Sequence, residues 1–485
     1  MKMFNGYERL PRNYSLLSDN YEHKMGQGYL LDGKKDEIAG FDVFFRRVPN
    51  NGGYAIMAGL DKVIAYIENL HFGEKELRYF KRAGFRDEYI EYLRNFKFTG
   101  TVKAIPDGTP VFPNEPLITI VAPVIEAQIV ETAVLALVNG AMEHATGARR
   151  IIEATPKGIG VMEFGSRRAD GTEAAIDASL YGMMAGCIGT SNDLAADMVD
   201  KIGLGTMAHS DIESYPDELS AFIAFARTYP ENCTLLVDTY DTLRSGIPDA
   251  IKTFRWMEEK GLPTDHIGIR IDSGDLAYLS KEARRMFIEA GFPQAKICLS
   301  NGLTAETIET LIAQGAEFDS LGVGDNISKP EGRMGCVYKE VSINGVPKIK
   351  LSEDAIKIVN PDIKDLYRAY DNETGYAVAD IMTRRGEEIK TDDLIIVSTT
   401  DYLKRKKLTD FTIVPLQQTI FEDGELVYDD PDLDTTRAYC EAQMATIYPE
   451  VKRTVQPHFY HVSGTEDYVN FKNDLIEEHR KLVLQ

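Results

Sequence analysis

Cysteine is scarce in this chain. Its five cysteines, Cys187, Cys233, Cys298, Cys336 and Cys440, are odd in number and widely spread, and no C-x-x-C pair occurs. That excludes a disulfide framework or a structural zinc and points to free, buried thiols in a reducing compartment. Basic charge is short as well. Lys and Arg total 54 against 76 Asp and Glu, a formal net charge of −22. Such a surface repels nucleic acid and anionic membranes, so a phosphate-bearing ligand must meet a local basic pocket against the overall field. No apolar run approaches the length of a membrane span, and the opening residues M-K-M-F-N-G-Y-E-R-L lack the apolar core of a signal peptide. A cytoplasmic location is the default expectation. Internal repeats and low-complexity segments are missing too.

What is present suffices for a large core: 44% of residues are hydrophobic and 27% charged, and 485 residues suit two or three domains. Residues 1–100 read as helices with irregular connections. Phe98–Pro123, rich in β-branched residues, glycine and proline, reads as short strands and tight turns. Val124–Ala154 reads as one long alanine-rich helix or a helix pair. Beyond it, short apolar runs at Val161–Gly165, Gly203–Ser210, Leu235–Thr239, Ile267–Asp272, Ile297–Asn301 and Leu321–Asp325 each close on polar or glycine residues. They recur about every 25 to 40 residues with helical sequence between most of them, the pattern of parallel β-α units. Chemistry in such barrels sits where the strands end. After residue 345 the text is more polar, with strands expected at K-T-D-D-L-I-I-V and F-T-I-V-P-L-Q and a helix over Asp434–Tyr448.

Four strand ends carry chemistry-bearing residues. In I-R-I-D-S-G-D (Ile269–Asp275), alternation places Arg270 and Asp272 on one side of a strand, facing the interior if Ile269 and Ile271 face helices. Ser273, Gly274 and Asp275 then turn into the next helix, where Asp272 and Asp275 could hold a hydrated magnesium ion, although Asp is also a common helix cap. L-G-V-G-D-N (Leu321–Asn326) offers Gly322, Gly324 and Asp325 as a phosphate cradle, and Ser300, Asn301 and Gly302 form a second one a strand earlier. E-F-G-S-R-R-A-D-G sets Arg167 beside Arg168, a pair favourable only when solvated or facing anions. His209 ends the run G-L-G-T-M-A-H-S, which we expect to be a buried strand, with Thr206 before it and Asp211 and Glu213 after it. A neutral imidazole there is a nucleophile or proton acceptor that a carboxylate can orient.

Taken in order, E-F-G-S-R-R, G-T-M-A-H-S, R-I-D-S-G-D, G-V-G-D and K-L-S (Lys350–Ser352), together with S-D-N-Y-E-H-K-M (Ser18–Met25), resemble the motifs of the nicotinate phosphoribosyltransferases over nearly the whole chain. The resemblance implies an α/β fold: an irregular (β/α) barrel over 121–345, flanked by an α+β domain built from residues 1–120 and the carboxyl-terminal segment 346–485. It implies a homodimer with a shared active site. The activity implied is ATP-coupled transfer of a phosphoribosyl group from phosphoribosyl pyrophosphate to nicotinate, with Mg²⁺ as cofactor. Tyr21 matches the tyrosine that stacks on the pyridine ring, contributed by the neighbouring subunit. Thr206 and Arg270 match nicotinate contacts, with Arg167 and Arg168 beside them. His209 matches the histidine that ATP phosphorylates, and Gly324 and Asp325 match the segment holding the ribose 5-phosphate. Asp325 stands where many relatives have a small hydroxyl residue, which leaves its backbone N–H as the phosphate donor. Three other readings make distinct predictions. A nicotinamide-specific relative would not need a basic loop for a carboxylate. A barrel aldolase or isomerase would need a lysine or catalytic carboxylate at a strand end, and none of the six runs ends in lysine. A non-catalytic phosphosugar-binding protein would release no pyrophosphate.

Overall fold

A computed structural model describes residues 8–10, 12–354 and 357–483. The chain divides into two units, one continuous (Gly147–Glu331) and one assembled from both ends (Met1–Thr146 with Gly332–Gln485). The divisions thus fall at Thr146 and Gly332, where the sequence suggested 120 and 345. The first division lies inside the helix Glu131–Ala154.

The continuous unit carries the expected β-α repeat. Its strands are β1 (Gly160–Glu163), β2 (Gly189–Thr190), β3 (Cys233–Leu236), β4 (Ile267–Ile271), β5 (Lys296–Ser300) and β6 (Ser320–Val323). All pair in parallel in the order β2-β1-β6-β5-β4-β3. Closed on itself, that order is the chain order of a barrel, with the single unpaired join between β2 and β3. The result is α/β: an irregular barrel left open along one seam. The strands are short and almost wholly buried, as parallel strands covered by helices must be, so they read as apolar runs.

The helices pack by the same logic. Ile247–Glu259 buries Ile247, Ala250, Phe254 and Met257, and Leu276–Ala290 buries Leu276, Ala283 and Phe287, each set at helical spacing. The rings of Phe254 and Phe287 meet at 6.1 Å and those of Phe254 and Phe292 at 5.7 Å, filling the space between these helices.

One expectation fails here. Gly203–Ala208 is not a buried strand: it forms no regular structure, and only Met207 within it is buried. The segment lies in the sequence where the barrel is open and is tied to β2 through the Leu204 N–H, which donates to the Thr190 carbonyl (2.7 Å). Three glycine or alanine residues leave it too little side chain to cover a sheet position. His209 accordingly does not end a strand; it begins the short helix His209–Glu213. The amphipathic stretch that follows is broken at Pro216 and restarts as Glu218–Thr228, capped by Asp217, whose side chain accepts from the Ser220 N–H.

The discontinuous unit is α+β. A seven-stranded antiparallel sheet is built on Ile38–Phe44, a strand within a region expected to be helical, which pairs with Ile118–Pro123 and Val337–Ile343. The carboxyl-terminal segment joins it, since Gln418–Glu422 pairs with Thr101–Ala104. A second, six-stranded sheet includes Leu394–Ser398 and Phe411–Pro415, the two strands expected after residue 345. The helix pair Val124–Ile129 and Glu131–Ala154 and the helix Leu433–Ala445 also form. All five cysteines are buried thiols, none in a disulfide. Among the described residues no helix is long and apolar enough to cross a membrane.

Candidate active site

The carboxyl ends of the parallel strands surround a cleft of about 490 Å³. It is lined by Arg167 and Arg168 after β1, Arg270 on β4 and Asp272 just beyond it, Ser300 at the end of β5 with Asn301 and Gly302 after it, and Gly322 on β6 with Gly324 and Asp325 after it, with Thr206 from the open seam. Eleven of the fourteen sequence-derived candidates therefore share one cavity. Phe164, Ser166, Ser191 and Gly205 complete the lining.

Each position has a local cause. Isoleucines 269 and 271 are buried against helices, so alternation turns Arg270 and Asp272 inward, as the strand pattern requires. The guanidinium is held on several sides: Nε donates to Ser300 Oγ (3.0 Å), Nη1 to Thr206 Oγ1 (3.4 Å), and Nη2 lies 3.2 Å from Asp272 Oδ1. It also lies 5.9 Å from the centre of the Phe164 ring. Ser300 Oγ donates onward to Asp272. The chain leaves β5 through Asn301 (φ 93°) and Gly302 (φ 59°), which bares backbone N–H groups at the rim. Asn326 Nδ2 donates to the Leu303 carbonyl (2.7 Å) and ties this turn to the one after β6.

The arginine pair is mounted on a buried acid. Glu163, fully buried at the end of β1, accepts from the Gly165 N–H (2.5 Å), Ser179 Oγ (2.9 Å) and Thr190 Oγ1 (2.6 Å). Three donors without a cation satisfy the carboxylate and fix the turn that aims residues 166–168. Arg168 pairs with Asp325 (3.0 Å) while both stay exposed, so the acidic residue in the glycine turn is matched by a cation rather than left facing a phosphate. Burial pushes the Cys298 thiol on β5 up, which keeps it neutral and removes it as a nucleophile.

His209 does not line the cleft, yet it is joined to it by a residue the sequence reading passed over. Asp238, two residues beyond β3, is 1% exposed at its side chain, and its Oδ1 lies 3.4 Å from His209 Nε2. Its Oδ2 accepts from the Asp272 N–H (3.1 Å) and from Ser273 Oγ (2.5 Å). One buried carboxylate thus links the imidazole to the strand end that carries Asp272. Among the described residues, Asp211 and Glu213, the acids nearest in sequence, make no such contact with the imidazole. The signal available was the polar close of the run Leu235–Thr239.

Asp275 caps the helix Leu276–Ala290, its Oδ1 accepting from the Tyr278 N–H (3.0 Å), and is not among the residues that line the cleft. Among the described residues no group of three or more His, Cys, Asp or Glu could hold a metal ion by itself. Tyr21 belongs to the discontinuous unit, on the helix Asn20–Leu31, and is 45% exposed. Burial and the neighbouring Glu131 push its phenol well up, so the ring stays neutral. Lys350 is exposed in the same unit.

The chain matches family models described as the nicotinate phosphoribosyltransferase N-terminal domain over residues 16–139 and C-terminal domain over residues 363–472. It is 38% identical over 472 residues to a nicotinate phosphoribosyltransferase of Bacillus subtilis, covering 96% of this chain and 95% of the relative. It is 32% identical over 524 residues to one of Caenorhabditis elegans, covering 95% and 93%. Its structure aligns with that of human nicotinic acid phosphoribosyltransferase at a TM-score of 0.82 and 26% identity, over 95% of this chain and 100% of the other. A nicotinate-nucleotide pyrophosphorylase from Pyrococcus furiosus shares the fold, with a TM-score of 0.70 at 23% identity over 90% and 96% of the two chains. The chain belongs to the nicotinate phosphoribosyltransferase family.

Proposed function

We propose that this enzyme transfers the 5-phosphoribosyl group of phosphoribosyl pyrophosphate to nicotinate, giving nicotinate mononucleotide and pyrophosphate, the entry of nicotinate into NAD synthesis. The observation that carries the reading is a single cleft in which three arginines converge in a chain of net charge −22. Such a cleft selects ligands with several anionic groups. It also favours a pyridine carboxylate over its uncharged amide, because the Arg270 guanidinium keeps N–H donors beyond those that meet Ser300, Thr206 and Asp272. Among the described residues no lysine lines the cleft, so these residues give no Schiff base for aldolase chemistry.

The chemistry divides among the residues. Arg270, anchored by Ser300 and Thr206, meets the nicotinate carboxylate and holds the ring nitrogen against ribose C1. The backbone of Asn301–Gly302 and Gly322–Asp325 takes the 5-phosphate, and Arg167 and Arg168 neutralise the pyrophosphate. As the bond from C1 to pyrophosphate breaks, positive charge builds on the sugar and the electron pair leaves with the pyrophosphate oxygen. The ring nitrogen then bonds to C1. Magnesium would fit as an ion carried by the pyrophosphate, with Asp272 as its protein carboxylate: of the two acids on the cleft wall, Asp325 is taken up by Arg168, and Mg²⁺ uses one or two carboxylates plus phosphate oxygens. When bound it supplies charge neutralisation on the leaving group.

His209 couples the transfer to ATP. The buried Asp238 carboxylate, 3.4 Å from Nε2, favours the proton on that nitrogen, which leaves the Nδ1 lone pair to attack the γ-phosphorus of ATP as the bond to ADP breaks. The resulting phosphate adds about two negative charges beside the pyrophosphate path. A homodimer whose partner brings its own Tyr21 ring to the nicotinate completes the reading. The test is incubation with nicotinate, phosphoribosyl pyrophosphate and Mg²⁺, with and without ATP, followed by product mass. Nicotinate mononucleotide forming faster with ATP is expected. Turnover of nicotinamide in preference to nicotinate, or absence of pyrophosphate release, overturns it.

A further inference from the structure

The discontinuous unit has a cavity of its own, about 330 Å³, at the edge of its six-stranded sheet. That volume lies at the lower end of small-ligand pockets. Lys406, half-buried, stretches across the sheet face and donates one Nζ–H to the Val378 carbonyl (3.0 Å), leaving two more donors for the cavity. His461 and His458 share the wall with it. Burial lowers the His461 pKa, and Lys406 and His458 lower it further. Burial also lowers the Lys406 pKa. Glu450 is the one acid among the lining residues, and Arg453 lies 3.7 Å from it. One wall of the cavity thus gathers an amine and two imidazoles against a single acid. The arrangement is relieved when an anion arrives.

The remaining walls are aromatic. Tyr460 is buried and rigid: its hydroxyl donates to Asp380 Oδ1 (3.0 Å) and its ring stacks on Phe112 at 3.8 Å. Phe459 is 70% exposed, its ring edge-on to His461 at 6.0 Å, and Tyr448 is half-buried on the lining. An exposed phenylalanine beside a cationic cavity gains most by covering a flat ring.

We infer that this cavity binds a planar ring joined to a phosphate monoester, with Lys406 and His461 holding the oxyanion and Phe459 and Tyr448 covering the ring. Lys406 together with two imidazoles, which an arriving oxyanion would help to protonate, suits a phosphate monoester better than a carboxylate. Nothing in this inference depends on the phosphoribosyl transfer proposed for the arginine cleft.

Adenosine monophosphate serves as the probe, and the histidine ring protons of the full chain, assigned with H458Q and H461Q, are the readout. The probe should move the His461 resonance saturably and raise its titration midpoint by about one unit. K406M should weaken this about tenfold or more, and K406R should restore it. R270A, in the arginine cleft, should leave it unchanged. A His461 resonance indifferent to the probe, or K406M binding as wild type does, overturns the site, as does R270A abolishing the shift. Inorganic phosphate binding as tightly as the nucleotide would remove the ring from the proposal. Nicotinate doing so would replace the phosphate with a carboxylate.

Discussion

Asp238→Asn isolates the coupling between His209 and the cleft. Asparagine keeps the shape and can still accept from the Asp272 N–H and Ser273 Oγ, so the strand end should stay in place. What it loses is the negative charge 3.4 Å from His209 Nε2. Unit charges at that separation attract by about 5 kcal/mol at an effective dielectric near 20. The imidazole side chain is 41% exposed, and solvent screening brings the usable part to about 3 kcal/mol. That is the stabilisation available to the imidazolium as Nδ1 takes phosphate, and it corresponds to roughly a hundredfold in rate. The assay is steady-state formation of nicotinate mononucleotide with and without ATP, with phosphohistidine followed by mass spectrometry of the peptide carrying His209. ATP-dependent turnover should fall about a hundredfold while the slow ATP-independent reaction changes little. D238N retaining ATP stimulation within about threefold of wild type would refute the reasoning, because the orienting carboxylate would then carry no energy.

Other perturbations probe separate parts of the site. His209→Ala should abolish phosphohistidine and ATP stimulation but keep slow transfer; undiminished ATP-stimulated turnover would remove its role. Glu163→Gln puts an amide N–H against one of three buried donors, so thermal melts should show a loss of about 1–3 kcal/mol with a raised KM, and an unchanged KM would detach Glu163 from the arginine turn. Gly322→Ala would set a Cβ 2.6 Å from the Phe164 ring, displacing it from Arg270 at about 1–3 kcal/mol; wild-type nicotinate KM would show that the ring does not shape the cleft. In the other unit, burial raises the Glu22 carboxyl to about 7. The folded chain then binds the extra proton between about 4.5 and 7, so stability falls as pH rises through that window. E22Q should flatten that slope in denaturant melts, and an identical slope in both proteins would assign the proton elsewhere.

The barrel was legible because its chemistry and its architecture use the same residues. A parallel strand buried on both faces is written as an apolar run, and the residue that ends it is written as a polar one. Five of the six runs therefore located strand ends to within a few residues. The sixth, Gly203–Ser210, has the apolar composition without the bulk, and its small residues leave it unpaired at the seam. β2 is only two residues long and has no periodicity to detect, which hid Ser191 as well.

The harder failure is Asp238. Its strand was located, but a strand end announces only that something polar is there, not what it touches. His209 precedes it by a helix, a break at Pro216 and another helix, and the acids adjacent in sequence offered a simpler partner. Orientation of a reactive group is a through-space property. It was invisible until β3 and β4 were placed side by side, with Leu236 opposite Arg270, so that the ends of both strands came together under one imidazole. The chain encodes the reacting residues locally and the residue that positions them only through the register of its sheet. The Asp238 substitution therefore bears on the geometry of the barrel seam as directly as on catalysis.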